Sequence, residues 1–477
     1  MACAEPFAGV RRMVENPWPS RCFWLLVGGA IVYSFWMTVG KPDCQDLDFG
    51  SYFRAAVAVR GGATPYKVDE YGPLGVYPYA PAYAYLLIPL TYLDYIWACR
   101  LWMILNWLAT AGSFWLALKL VFAGEELGPR RYVGLLLILV PLGGYIWANL
   151  RVGQVAMFMV LAILGWLYCQ RSGWPLVGGV LLACAGALKL APLIFAPYLL
   201  VQRDRRAIAG FALGVLALFF VPASWVGLAG SARLHEEWIT HTLATHVPMQ
   251  TYRPGNQSLL AQLARLPAIS NGHHCFSEQD LALLHRYYPL ALIGVVIAFY
   301  AWALWRRQYG SLAGCEQRAP HDDLLLFAVL FVLLTLLHPR AWRCNFVALL
   351  LPCAVVVKHV WRQSRGFPFG FFALALCLVA CVLPTDGQDT EHWHWYDWLM
   401  QGKHFWAAVV LGLACIVLEG RGKCTLGTSF LVTESRWIGI SLRRACEHCS
   451  SNSSLEPVEA RKMRKGTPPD GPVGSSR

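Results

Sequence analysis

Apolar stretches long enough to cross a membrane recur along most of this chain, and no other feature restricts its fold so strongly. The first covers residues 22–39, and comparable runs follow to about residue 420. A bilayer core offers backbone amides no partner but one another, and continuous runs of roughly 20 apolar residues select helices over a closed barrel. Composition agrees: 57% of the 477 residues are hydrophobic, only 14% are charged, and 21 are Trp. That balance excludes a string of soluble domains. A removable secretory leader is a poor account of the N-terminus, since the first run is itself of spanning length and many more come after it.

Hydropathy places about twelve spans, near residues 21–39, 96–122, 132–148, 155–169, 175–187, 190–201, 207–225, 289–305, 322–338, 344–361, 367–384 and 404–419. The expected fold is an all-α polytopic membrane protein, with a short interfacial helix near 55–60 and either another or a re-entrant segment near 82–93. The stretch 175–201 is interrupted by Lys189, Pro192 and Pro197 and reads as a hairpin of half-length helices. Broken helices at membrane depth are tolerated only where protein buries them or they line a wet cavity. The organisation is then a cytoplasmic N-terminus over 1–20, a membrane domain over 21–420 and a basic cytoplasmic tail over 421–477, too polar to bury a core and expected to be disordered.

The net charge of +12 carries topology. Arg11 and Arg12 precede the first span, and later clusters (Arg130–Arg131, Arg203–Arg205–Arg206, Arg306–Arg307, Lys358–Arg362–Arg365 and Arg421–Lys423) fall on the same side in one consistent assignment. By the positive-inside rule that side is the cytoplasm. Loops 40–95, 149–154, 226–288, 338–343 and 385–403 then face outward, which in an inner (plasma) membrane is the periplasmic side. Short basic loops explain the charge without nucleic acid, which is not expected as a partner.

Sixteen cysteines invite a disulfide or metal reading. Many, such as Cys99, Cys169, Cys184, Cys377 and Cys381, lie inside apolar runs, where they act as small hydrophobes. Cys44 and Cys275 both fall on the outer side, where pairing is open to them. Cys446 and Cys449 have CxxC spacing without a second pair, and His273 and His274 lack matching ligands. No metal site and no cofactor is expected, with a divalent metal left open.

The outward loops collect the unusual polar groups. KPDCQDLDFGSYFRAA supplies Asp43, Asp46, Asp48 and Tyr52, with Tyr66 and Tyr77 further on. WANLRVGQ supplies Asn149, Arg151 and Gln154, and the broken hairpin supplies Lys189. YRPGNQSLLAQLAR adds Arg253, Asn256, Gln257 and Ser258, and HPRAWRCN adds His338, Arg340, Trp342, Arg343 and Asn345. A carboxylate facing cations and amides is equipped to take the proton of a hydroxyl while Lys and Arg neutralise a phosphate leaving group. Each part also has a plainer account. Loop acids are usually solvated, a Lys near a helix end commonly snorkels, Arg340 and Arg343 suit phospholipid head groups, and HWHWYDW at 392–398 suits an interfacial aromatic belt. Convergence on one face favours a site, because unrelated accidents would scatter.

In DFGSYFRAAVAVRGGATPY, YPYAP, ANLRVGQ, ALKLAPLIFAPYLL, GNQSLLAQLAR and HPRAWRCN, taken together and in this order, the chain resembles membrane glycosyltransferases of the GT-C superfamily. Glycosyltransferase family 87, whose best-known members are polyprenyl-phosphate-mannose-dependent alpha-mannosyltransferases, is the group it most resembles. The resemblance covers about residues 20–420. It implies a GT-C bundle in which a polyprenyl-phosphate sugar enters from the bilayer and a glycan or glycolipid acceptor attacks its anomeric carbon with inversion. It also implies an Asp base four residues before a Tyr, which selects Asp48 with Tyr52 and keeps Asp46 in reserve. Lys189, Arg340 and Arg151 would meet the donor phosphate. Tyr52, Tyr66, Asn149, Gln154, Asn256, Gln257, His338, Trp342 and Asn345 would line the substrate site. The family's turn usually reads Ser-Pro, then Trp and a His pair. This chain has His338, Pro339 and Trp342, then Cys344 and Asn345, so mannose is a first expectation and not a transferred fact. A flippase or transporter of lipid-linked saccharide would also suit broken helices and Lys189, but it predicts ionisable groups strung through the membrane depth. A non-catalytic assembly subunit predicts no dependence on Asp48.

Overall fold

Helices are the regular structure of every described part of the chain, as its recurrent apolar runs require, and no strand occurs among the described residues of this computed structural model. Described are residues 17–40, 48–66, 77–123, 130–240, 255–263, 265, 278–311, 323–362, 367–383 and 402–418. Asp43, Asp46, Cys44, Arg253, His273, His274, Cys275, the 392–398 aromatic run and the whole tail lie outside them. Met1–Glu419 form one unit, and Gly420–Arg477 form a second that is likewise outside the described residues.

In chain order the helices are α1 (Pro17–Phe35), α2 (Asp48–Arg60), α3 (Pro81–Leu86), α4 (Tyr95–Val121), α5 (Arg130–Val152), α6 (Ala156–Arg171) and α7 (Pro175–Leu188). Then come α8 (Ala196–Gln202), α9 (Arg205–Glu237), α10 (Glu278–Ser311), α11 (Asp323–Leu337), α12 (Leu350–Arg362), α13 (Phe367–Val382) and α14 (Lys403–Leu418). Short 3₁₀ segments occupy Ile88–Tyr92, Ala191–Phe195 and Arg343–Leu349. The segments expected near 55–60 and 82–93 are helical, lying in α2 and in α3 with its 3₁₀ continuation.

The count of about twelve spans is not confirmed. Among the described residues, four helices are long and apolar enough to cross a membrane: Tyr95–Val121, Arg205–Thr240, Arg286–Leu304 and Arg343–Val360. A fifth span results if Leu137–Val152 and Ala156–Arg171, bent by 117°, count as one. Six further apolar helices among the described residues have only 10–17 residues. Hydropathy registers apolar content and does not distinguish a full crossing from a half-length segment, so breaks inside apolar stretches inflate the expectation.

Two breaks in these helices place polar residues deep in the bundle. Between α5 and α6 the chain turns at Gly153, whose φ of +67° a side chain would strain. A Cβ there would also lie 2.9 Å from Met103 Cε and 3.0 Å from Phe49 Cβ. After α7 the helix stops at Lys189, whose backbone is extended (φ −154°), and Pro192 and Pro197 begin the next two segments. The interruption expected at Lys189 is present.

Glycine also sets how closely α7 and α9 pack. A Cβ on Gly179 would stand 2.1 Å from the Ala207 carbonyl oxygen, and one on Gly210 would stand 2.0 Å from that of Leu176. These helices touch backbone to backbone, the arrangement that small residues permit where no hydrophobic force drives helices together in lipid. Elsewhere bulky rings fill the interior. Trp166 of α6 meets Phe195, Tyr198 of α8 and Phe327 of α11 edge to face at 5.6–6.0 Å. One cysteine departs from its expected role: Cys99 is disulfide-bonded instead of serving only as a small hydrophobe. It sits in the first turns of α4, beside the loop region and not at the middle of the span.

The α7–α9 contact makes a prediction. Gly210→Ala should lower stability by about 1–3 kcal/mol through overpacking, read as a fall in thermal unfolding midpoint in detergent. Gly143→Ala, where a Cβ meets nothing within 4 Å, should leave that midpoint nearly unchanged.

Candidate active site

The site is assembled from stretches far apart in the sequence. Asp48 is the first residue of α2, and Phe49, Tyr52, Ala55, Ala56 and Val59 follow on the buried face of that helix. Phe49 stacks on Trp102 of α4 at 5.7 Å and leans on Tyr95 at 5.9 Å. These contacts fix the start of α2, and so the place of Asp48, against α4.

The α5–α6 turn brings Gln154 to the same point. Its Nε2 donates to Asp48 Oδ2 at 2.8 Å. Its Oε1 lies 2.8 Å from the Tyr52 hydroxyl, 3.0 Å from the Tyr79 hydroxyl and 3.0 Å from the Val155 N–H. The two hydroxyls are themselves 2.9 Å apart. Around the turn, Trp102 Nε1 donates to the Gly153 carbonyl at 2.7 Å, Asn106 Nδ2 donates to the Gln154 carbonyl at 2.9 Å, and Asn149 Nδ2 donates to Asn106 Oδ1 at 2.9 Å. Burial pushes both tyrosines well up from their ordinary range, so they stay phenols and remain donors. Tyr66 completes the aromatic wall by donating to the Tyr79 carbonyl at 2.9 Å.

The opposite side is cationic. Lys189 Nζ donates to Asn345 Oδ1 at 2.6 Å, and Asn345 Nδ2 donates to the Arg340 carbonyl at 2.8 Å. His338 Nδ1 accepts from the Arg340 N–H at 3.0 Å. Asn256 clasps this loop: its Nδ2 donates to the Pro339 carbonyl at 2.7 Å and its Oδ1 accepts from the Ala341 N–H at 2.9 Å. The Gln257 N–H adds a bond to the Ala341 carbonyl at 2.8 Å, and Gly255 lies against the Trp342 ring.

Asp48, Lys189, His338 and Arg340 are each half-buried. Protein nevertheless surrounds the charged ends of Asp48 and Lys189 closely enough to remove much of their hydration. Burial raises the Asp48 carboxyl above the usual carboxylate range, while Lys189, Arg340 and the Gln154 hydrogen bond pull it back. Burial likewise lowers Lys189, opposed by the field of Asp48 among others. His338 is pushed down to about 3 by burial and by the charges of Lys189 and Arg340. It is therefore neutral, and with Nδ1 accepting, its proton sits on Nε2. The result is an ionisable carboxylate within electrostatic reach of two cations, walled by phenols and amides. Such a set can take a proton at one end and hold an anion at the other. Among the described residues, no group of three or more His, Cys, Asp and Glu is placed to hold a metal ion.

Most residues expected from sequence meet here: Asp48, Tyr52, Tyr66, Asn149, Gln154, Lys189, Asn256, Gln257, His338, Arg340, Trp342 and Asn345 all belong to the cluster or its supports. Arg151 does not join it, standing exposed at the end of α5. In this structure Asn149 and Asn256 bond to the protein itself. Sequence reading missed Tyr79, Trp102 and Asn106. Asn106 carried a usable signal, since a lone amide inside an apolar span is costly unless it is bonded.

Comparison with known proteins bears on this geometry. The family described as Glycosyltransferase family 87 matches residues 77–316, half of the chain. A Mycobacterium tuberculosis protein, polyprenol-phosphate-mannose-dependent alpha-(1-2)-phosphatidylinositol mannoside mannosyltransferase, is 27% identical over 429 residues, 83% of this chain and 91% of that protein. A Mycolicibacterium smegmatis protein of the same name is 26% identical over 274 residues, 56% of this chain and 57% of that protein. No solved structure matches the chain.

The electrostatics predict a direction that needs no activity assay. Lys189→Met removes a charge that lowers Asp48, so the carboxyl should protonate at higher pH. An infrared pH titration, with Asp48→Asn used to assign the carboxyl band, should show the transition displaced upward from wild type.

Proposed function

Since this chain belongs to glycosyltransferase family 87, we propose that it moves a hexose, mannose as first choice, from a polyprenyl-phosphate donor to a glycan or glycolipid acceptor. The chain is a multi-pass membrane glycosyltransferase. We place the reaction in a GT-C type bundle of the plasma membrane, with the site on the extracytoplasmic side. The names of the two mycobacterial relatives support mannose and a lipid-anchored acceptor.

One observation carries the mechanism: Asp48 lies in a desolvated, phenol-lined seat within the field of Lys189 and Arg340. The acceptor hydroxyl gives its proton to the Asp48 carboxylate as its oxygen attacks the anomeric carbon. The bond from that carbon to the phosphate oxygen breaks, its electron pair leaves with the polyprenyl phosphate, and the sugar inverts. Burial raises Asp48, which strengthens it as a base, while Lys189, Arg340 and Gln154 favour its ionised form. Lys189 and Arg340 meet the charge that grows on the phosphate, and little water competes with them. His338 offers its Nε2–H, and Trp342 an aromatic face, to the same substrates. Asp48, Lys189, His338 and Arg340 meet in one cluster, which supports transfer at a single site over a path of ionisable groups strung through the membrane.

Asp48→Asn should reduce transfer from polyprenyl-phosphate mannose by about a hundredfold or more, the usual share of a general base. The assay is mass analysis of lipid-linked sugars and glycans in cells lacking the protein, complemented with wild type or the variant at equal membrane levels. Full restoration by the Asn variant would remove Asp48 from the role of base.

A further inference from the structure

We infer that Gln154 is the positioning residue of the general base: it does not contact substrate, but holds the Asp48 carboxylate by one oxygen and presents the other to the acceptor. This rests on the reading of Asp48 as the base.

The first point is which end of the Gln154 amide faces Asp48. An amide's oxygen and nitrogen are told apart only by their partners. The Val155 N–H is a donor with no alternative role, and it points at Oε1 from 3.0 Å. That end must therefore be oxygen, and the end 2.8 Å from Asp48 Oδ2 must be the NH₂ group. The bond is thus a donation to the carboxylate, which favours its ionised form.

The oxygen end is itself saturated. Oε1 has two lone pairs, and the Val155 N–H takes one. Tyr52 and Tyr79 both lie within bonding distance of what remains, and of each other. One phenol therefore donates to Oε1 while the other donates to its fellow. The backbone is fixed as well, since the Gln154 N–H reaches the Asn149 carbonyl at 3.0 Å and the Gln154 carbonyl accepts from Asn106. Gln154 is 4% exposed. The NH₂ end has two hydrogens: one goes to Asp48 and the Cys344 sulfur accepts the other, so neither amide end is left to a sugar, which separates Gln154 from the substrate-lining role that its sequence position suggested.

The groups facing Asp48 from the packed elements are Lys189, Arg340, Tyr52, Tyr79, Tyr83 and the Cys344 thiol. None of the phenols is charged, so removing the Gln154 donor leaves Lys189 and Arg340 as the groups opposing desolvation. The carboxyl must then protonate at higher pH.

The test uses the full-length protein in membranes, with polyprenyl-phosphate mannose as donor. Gln154→Met keeps the volume and removes the amide. Its transfer rate at neutral pH should fall about ten- to a hundredfold, the worth of a hydrogen bond to a charged group, and the acid limb of the rate profile should move up by about one pH unit. Tyr52→Phe, which loosens the amide without touching Asp48, should shift the limb the same way by less. A fall in rate with the acid limb unmoved in both variants would reduce Gln154 to a structural support and overturn the inference. Were Asp48→Asn fully active, the base itself would be misassigned. An inactive Asp48→Asn with a wild-type profile for Gln154→Met would refute the positioning role alone.

Discussion

The bond from Gln154 to Asp48 joins residues 106 positions apart in sequence, and the architecture around it exists to make that meeting affordable. A carboxylate removed from water is unstable unless fixed donors and charges replace the lost hydration. Gln154 reaches it because α5 and α6 are bent at a glycine that no other residue fits without strain. Lys189 stands near it because α7 stops short. Irregular backbone of this kind is tolerated inside a membrane protein only where its polar groups are bonded. The Asn106, Trp102 and Asn149 contacts supply those bonds around the turn.

The cationic half follows the same logic with different parts. The 338–345 loop has little regular structure of its own, and Asn256 supplies side-chain bonds in place of a helix or strand. Asn345 then aims Lys189. Here the chain has Cys344 and Asn345 where the family's usual turn carries a His pair. The amide provides a neutral acceptor for the ammonium, so the cation is held without being neutralised. It stays available to an anion.

Much of this was legible in the chain. Helical class followed from apolar runs and backbone chemistry, and the site followed from polar residues stranded in loops between them. Asp48, Gln154, Lys189 and Arg340 were all named on that basis. The number of crossings was not legible, because a half-length helix such as α7 has the same composition as part of a full one. Nor was the division of labour. Gln154 and Asn256 looked like ligands for a sugar, but which partner satisfies an amide depends on bends that no local pattern records. Tyr79 lay unnoticed in a run of aromatic residues, since tyrosines that pack and tyrosines that donate are spelled alike.

Asp48 opens α2, and Lys189 directly follows the last turn of α7. A helix carries partial positive charge where it begins and partial negative charge where it ends. The acid therefore rests on a positive helix end and the ammonium on a negative one, each with a counter-charge built into the backbone. Such counter-charges neither diffuse away nor need replacing. The two side chains therefore need not collapse onto one another for electrical balance, and the spacing between acid and ammonium is held by the backbone itself.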